Sequence, residues 1–337
     1  MLESLWFATF VVVAGGAMTG SFALPMKGLK EWSWENTWLV YSLSGLVAVP
    51  WLVASATVPG LLDVCRSVPA ASIAVTALFG FGWGVANVLF GLAVSMAGMA
   101  LGFAIVSGLS AALGSLIPLI VLTPDRIAHA SGLLVLLGVA LTVAGVFTLG
   151  KAGREKEKSA ATGSARPVAA GILIAIVSGV LAPMLNFSFA FGGPVIEEAT
   201  RHGAAPSTAV NAVWAIALAG GFVSNAGYSV LLLARNQTWR KYRDGRPGLD
   251  WALAVAMGVL YTGGIFLYGR GAASLGELGP AVGWPVFQAT TIMTSSFLGA
   301  LTGEWRGAGI RFFRMTMAGL ALLVIAIVVL SAGNRAA

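Results

Sequence analysis

Residues 90–104 read FGLAVSMAGMALGFA, and residues 268–281 read YGRGAASLGELGPA. With one gap, Gly91 matches Gly269, Gly98 matches Gly276, and Leu101-Gly102-x-Ala104 matches Leu278-Gly279-x-Ala281. Each copy lies where the third long apolar run of its half of the chain passes into the fourth. A second pair, Ser21-Phe22-Ala23 and Ser188-Phe189-Ala190, falls in the first run of each half. Gly and Ala are common in membrane helices, so chance contributes to these matches. Their shared location favours a duplicated unit.

The apolar runs set the class. Of 337 residues 58% are hydrophobic and only 10% charged, with a mean hydropathy of +0.88. A soluble domain carries about 25% charged residues. A chain this apolar cannot cover a globule with polar surface, so its solvent is largely lipid. A helix needs about 20 mostly apolar residues to cross a bilayer. Ten stretches satisfy that rule: 5–24, 37–57, 70–95, 99–122, 128–150, 168–191, 207–234, 250–269, 277–302 and 309–332. All should be helices, because lipid offers no partner to open backbone groups. The expected fold is an all-α integral membrane protein of ten transmembrane helices, built as two inverted five-helix repeats.

The inversion follows from the odd number. KAGREKEKSAATGSARP, residues 151–167, is a charged linker that divides the chain into repeats 1–150 and 168–337. Five crossings per half make the halves traverse the membrane in opposite senses. Many secondary transporters are built this way, with the substrate site near the midplane between the repeats. Fifteen Lys and Arg lie on the side of the loops after odd-numbered spans, against five on the other side. The positive-inside rule then puts both termini outside, in the periplasm of a bacterial inner membrane. It puts KGLKEWSWENTW, residues 27–38, in the cytoplasm. The lysines and tryptophans of that stretch suit the headgroup level, and Glu35, Asn36 and Thr37 suit the start of a helix. The first run has no basic segment before it and no Ala-x-Ala site after it, so it reads as a retained helix rather than a signal peptide.

Several classes drop out. The net charge of +7 is scattered over short gaps between apolar runs, which gives no nucleic-acid surface. Cys65 is the only cysteine, and His129 and His202 stand far apart, so neither disulfides nor a metal centre is expected. There is no Gly-rich phosphate motif, no Ser-His-Asp set and no HExxH, so neither an enzyme nor a bound cofactor is expected. No ring of charge suggests a channel.

Polar residues inside the spans carry the functional reading. The third span holds Gly80, Gly84, Asn87 and Gly91 at helical spacing, with Trp83 one turn before Asn87. The fourth holds Ser107, Ser110, Gly114 and Pro118; the seventh Asn211, Trp214, Gly221, Asn225 and Tyr228; the ninth Trp284, Gln288, Thr291 and Ser295. Close helix packing accounts for the Gly and Ser positions. Asn87 and Gln288 fit packing or a cavity wall, since polar groups are expensive in lipid. An amide beside an aromatic ring suits a neutral polyol: the amide donates and accepts, and the ring covers an apolar sugar face. The substrate-binding candidates are Asn87, Trp83, Trp284, Gln288, Asn211 and Tyr261. Pro118, Pro280 and Pro285 interrupt spans where transport sites form, and Pro183 reads as a packing kink. For proton coupling the loop carboxylates are Glu197, Glu198, Glu277 and Glu304; loop carboxylates are usually just solvated, and of these Glu197 and Glu277 are best placed to enter a cavity. A sodium-driven cycle would need neither.

Lys27-x-x-Lys30-x-Trp32-Ser33-Trp34-Glu35-x-x-Trp38 resembles the first loop of the L-rhamnose–proton symporter family, within the drug/metabolite transporter superfamily. Trp83-Gly84-x-x-Asn87 with Gly91, Leu92 and Gly98, Pro194-x-x-Glu197, and Glu304-Trp305 extend the resemblance over nearly the whole chain. It departs from the family pattern at Ser95 and at Gly279-Pro280-Ala281. The resemblance implies ten helices in two inverted repeats, import of a 6-deoxyhexose with a proton, and functional roles for Asn87 and Glu197. The leading expectation is therefore an inner-membrane importer of L-rhamnose working by proton symport with alternating access. Another deoxyhexose, a pentose or a small polar metabolite is the alternative cargo, and a sugar sensor the alternative class. An exporter of amphipathic cations would need an acidic residue in the first helix, and Leu5 to Leu24 has none. The partners expected are the sugar and the bilayer, with monomer and homodimer both open.

Overall fold

A computed structural model describes residues 2–160, 168–243 and 246–336. Among these residues every regular element is helical, and nine helices are long and apolar enough to cross a membrane. The principal helices are α1 (Leu2–Gly20), α2 (Trp34–Thr57), α3 (Ala70–Ala97), α4 (Met99–Leu122) and α5 (Ala130–Ala160). They continue as α6 (Val168–Leu181, resuming as Met184–Ala190), α7 (Val210–Asn236), α8 (Pro247–Ser274), α9 (Gly279–Leu301) and α10 (Ile310–Arg335). Helix α9, on the expected span 277–302, is absent from the nine. Thirteen of its 23 residues are buried, Trp284 and Phe287 among them. Its neighbours are protein rather than lipid, so its surface need not be apolar. The charged linker is helical through Ala160 as the end of α5, and 161–167 lies outside the described residues.

Contacts between loops fix the two ends of the bundle. At one end Arg126 pairs with Glu277 at 3.3 Å, and Thr208 donates to the Thr57 carbonyl. At the other, Lys27 pairs with Glu304, Arg311 with Glu155, and Asn36 donates to the Thr238 carbonyl. The first face thus carries the loops after α2, α4, α6 and α8, and the second face those after α1, α3, α5, α7 and α9. Helix pairing is reciprocal. α1 packs on α8 as α6 packs on α3, α2 on α8 as α7 on α3, and α4 on α5 as α9 on α10. α2 meets α7, α4 meets α9 and α5 meets α10.

The aligned Gly98 and Gly276 are both turn glycines, with φ of +93° and +79°. L side chains avoid that region, so glycine is required at both hairpins. Gly98 lies on the second face and Gly276 on the first.

Three prolines strip helices of backbone donors, and in each case another helix compensates. Pro118 cannot donate to the Gly114 carbonyl, and the Asn186 amide does so instead at 2.8 Å. Pro285 leaves the Ala281 carbonyl open, and the Ser115 hydroxyl donates to it. In α2 the stretch Ser44–Ala48 is π-helical, with Val49 N–H reaching the Ser44 carbonyl. Its next partner would be Pro50, and the Thr262 hydroxyl takes the Gly45 carbonyl in its place. Buried carbonyls without partners are costly in a membrane, which explains these crossings.

KGLKEWSWENTW forms a docked elbow more than a headgroup anchor. Trp32 is buried and packs its ring at 5.1 Å from Tyr242 and 5.5 Å from Trp251. Burial pushes the Tyr242 phenol up to about 12, although the Asn36 side-chain amide acts the other way, so its O–H donates to the Asn36 carbonyl at neutral pH. Buried Glu35 accepts from the Asn236 amide at 3.0 Å and from the Thr238 hydroxyl at 2.8 Å. Glu35→Ala removes two hydrogen bonds to a buried carboxylate and should cost about 1–3 kcal/mol, read as a lowered unfolding midpoint in detergent.

Candidate functional site

A cavity of about 230 Å³ lies between α1, α2, α3, α4, α6, α8 and α9. Its lining comes from the second-face end of α1 (Phe22), the start of α2 (Trp38, Tyr41), and the middles of α3, α8 and α9. One wall is aromatic. Trp83 stacks on Tyr261 with centroids 5.6 Å apart and planes 21° apart, and Tyr41 meets Tyr261 edge-on at 5.9 Å. Phe22 touches Trp38, Tyr41 and Tyr261. Opposite them, Trp284 and Phe287 stack at 5.7 Å.

Polar groups in the cavity fall into two kinds. Some are fixed: Trp284 Nε1 donates to the Ser110 carbonyl at 3.0 Å, and Gln288 Nε2 donates to Ser110 Oγ at 3.2 Å. Trp38 Nε1 donates to Asn225 Oδ1 at 2.9 Å, and the Asn225 amide is itself tied to the Gly221 carbonyl at 2.8 Å. Others line the cavity without a partner among the described residues: the Asn87 amide, the Ser107 hydroxyl, the Gln288 carbonyl oxygen, and the hydroxyls of Tyr41 and Tyr261. No lining residue is charged. Such a site offers donors and acceptors at one wall and ring faces at the others, and it suits a small uncharged polyol with an apolar patch.

The structure brings five of the expected binding residues together. Asn87, Trp83, Trp284, Gln288 and Tyr261 all line this one cavity. Asn211 lies elsewhere: it is buried near the first face, donating to Thr57 Oγ1 at 2.9 Å. Glu197 and Glu277 also lie outside the cavity, on the first face. The Glu197 side chain is 71% exposed and sits 3.7 Å from Arg201. The Glu277 side chain is 72% exposed and pairs with Arg126. Both carboxylates are solvated by position, and neither touches the cavity lining.

Sequence reading missed Phe22, Tyr41 and Ser178 as lining residues, and placed Trp38 at the headgroups. Phe22 carried a signal, since it belongs to the Ser-Phe-Ala pair repeated in the two halves. Tyr41 had none, because a tyrosine among apolar neighbours looks the same against lipid as against a cavity.

Comparison with known proteins gives three findings. A model of the family described as L-rhamnose-proton symport protein (RhaT) matches residues 1–336. Proteins named L-rhamnose-proton symporter are similar throughout. The one from Klebsiella pneumoniae (strain 342) is 25% identical over 334 residues, covering 97% of each chain. The one from Cronobacter sakazakii is 26% identical over 325 residues, covering 93% of each. A solved crystal structure, 18% identical, superposes with a TM-score of 0.60 over 99% of this chain and 98% of that one, which speaks to the fold alone.

Proposed function

The chain belongs to the L-rhamnose-proton symport protein family, and we propose that it imports L-rhamnose with a proton across the bacterial inner membrane. The observation that carries this reading is the uncharged cavity, which the free hydrogen-bonding groups of Asn87, Ser107 and Gln288 line together with the Trp83–Tyr261 stack. A deoxyhexose presents hydroxyls to such an amide wall and its methyl group and C–H face to the rings. At about 230 Å³ the cavity is smaller than the roughly 300 Å³ at which drug-sized pockets begin. Size and the lack of a lining carboxylate both disfavour an exporter of amphipathic cations.

In this reading the two halves are inverted repeats, 1–150 and 168–337, of ten crossings with α9 as the ninth. The reciprocal helix pairs support it, as do Gly98 and Gly276, which both take a positive φ in hairpins on opposite faces. The second face is then cytoplasmic, since most Lys and Arg lie there, and both termini are periplasmic. Glu197 and Glu277 stand at the periplasmic mouth as the proposed proton-coupling carboxylates.

Proteoliposomes decide between the readings. Labelled L-rhamnose should accumulate with an inward proton gradient and only equilibrate without one. Absence of uptake under both conditions, in vesicles shown to hold folded protein, overturns the proposal. Competition by other deoxyhexoses and pentoses ranks the cargo. A Glu197→Gln or Glu277→Gln variant that equilibrates sugar but no longer accumulates it identifies the proton carrier. Full accumulation by both variants removes both residues from that role.

A further inference from the structure

Four helices leave the cavity in the same way. On α4 the lining residue is Ser110 and the next turn toward the first face is Gly114; on α6 the pair is Ala182 and Asn186. On α8 it is Ile265 and Tyr268, and on α9, which runs oppositely, Trp284 and Pro280. The outer member of every pair belongs to one hydrogen-bonded layer, and Asn186 is its centre. Its amide Nδ2 donates to the Gly114 carbonyl at 2.8 Å and to the Pro280 carbonyl at 3.2 Å. Its Oδ1 accepts from the Tyr268 hydroxyl. Beside it, Ser115 donates to the Ala281 carbonyl, joining α4 to α9 a second time. Asn186 is fully buried, and the rings of Phe189, Trp214 and Tyr268 pack together beyond it.

We infer that Asn186 is a positioning residue for transport: it holds α4, α6, α8 and α9 together and so closes the cavity toward the first face. The inference rests on the alternating-access reading above. Opening that face requires α4 and α9 to part, and on the first-face side of the Trp284–Ser110 and Gln288–Ser110 bonds the bonds from Asn186 and Ser115 span them. Two of the acceptors, the Gly114 and Ala281 carbonyls, have no donor of their own helix, because Pro118 and Pro285 lack one. When the layer parts, water entering the passage takes these carbonyls, and neither helix has to unwind. A bond between intact helical turns would instead be released against a complete backbone ladder. Asn186 itself does not line the cavity, so it acts on access rather than on contact with the sugar.

The test reads access directly and needs no substrate. Cys65, the only cysteine, lies on the first face in the helix Leu61–Ser67 and is replaced by Cys65→Ser. Ser107→Cys then reports on the cavity, where its hydroxyl has no partner among the described residues. A membrane-impermeant thiosulfonate is applied to one face at a time in oriented vesicles. Adding Asn186→Ala should raise labelling from the first face about a hundredfold, since three bonds are lost at roughly 1 kcal/mol each and each 1.4 kcal/mol is tenfold. Tyr268→Phe, which keeps the ring and removes one bond, should give a smaller rise in the same direction. It also decides the matter if Asn186→Ala does not fold. Labelling from the second face should stay constant or fall. An unchanged first-face rate, or equal rises from both faces, overturns the inference, the latter because a merely loosened protein admits reagent everywhere. Failure of rhamnose uptake would leave this result standing, so the two readings fail separately.

Discussion

Gly80→Val should yield no folded protein. A Cβ at Gly80 would stand 1.7 Å from the Ala217 carbonyl oxygen and 2.5 Å from its carbon, all of it backbone on α7. The approach is reciprocal, since a Cβ at Gly220 would meet the Ala77 carbonyl oxygen at 2.1 Å. One turn on, a Cβ at Gly84 would lie 2.6 Å from the Gly221 carbonyl oxygen. No rotamer change relieves a clash between two backbones, so α3 and α7 would have to separate along the whole seam. Trp83 and Asn87 on α3 would move with it, and so would Asn225 on α7, which orients Trp38. Ordinary overpacking costs about 1–3 kcal/mol. Separating a seam costs more than that, against a total stability on the order of 5–15 kcal/mol. The measurement is the monodisperse yield after extraction, relative to the parent. Gly91→Ala is the control on the same helix: nothing lies within 4 Å of a Cβ there, so yield should hold and stability rise by up to about 1 kcal/mol. A normal yield for Gly80→Val would mean that the two helices do not touch.

The seam and the hairpins were legible because lipid and backbone geometry leave few choices. An apolar run long enough to cross must be a helix, and glycines at helical spacing mark close approach whatever the partner. Gly98 and Gly276 could be matched as text because both turns demand a residue at positive φ. Helix α9 shows the limit of the length and hydropathy rule. Enclosed by protein on most sides, it carries Gln288, Thr290, Thr291 and Ser295 and no longer looks like a lipid-facing span.

The candidate site was legible where an amide or tryptophan stood in an apolar helix without an evident reason. Asn87, Gln288, Trp83 and Trp284 meet in one cavity. The same signal also raised Asn211 and failed to single out Asn186, and the cause is physical. A buried amide in lipid must be satisfied by something, and the sequence does not say whether that partner is a neighbouring helix or a ligand. Asn211 finds Thr57, Asn225 holds Trp38, and Asn186 finds three helices. Asn87 finds no partner among the described residues. For the carboxylates, Glu277 was raised by position alone and Glu197 by position and the family resemblance, and position near a short loop equally describes a solvated pair with Arg201 or Arg126.

That difference between asparagines gives the second large effect. Asn87→Ala removes an amide that makes no bond among the described residues, so the unfolding midpoint should not move. If the amide meets sugar hydroxyls, its loss leaves them buried and unpaired at about 1–3 kcal/mol, which is roughly a 5- to 150-fold weaker affinity. Asn211→Ala should do the reverse. Its amide donates to Thr57 Oγ1 away from the cavity, and Thr57 Oγ1 already donates to the Val53 carbonyl at 2.7 Å. Deleting Asn211 strips that hydroxyl of its donor, lowering stability by about 1 kcal/mol while affinity holds. Binding isotherms with L-rhamnose and thermal unfolding of both variants form a crossed pair of measurements. Parent-like binding by Asn87→Ala would move Asn87 from the sugar site to the packing of α3. Weakened binding by Asn211→Ala without loss of stability would place a second contact near the first face, on the sugar's way in.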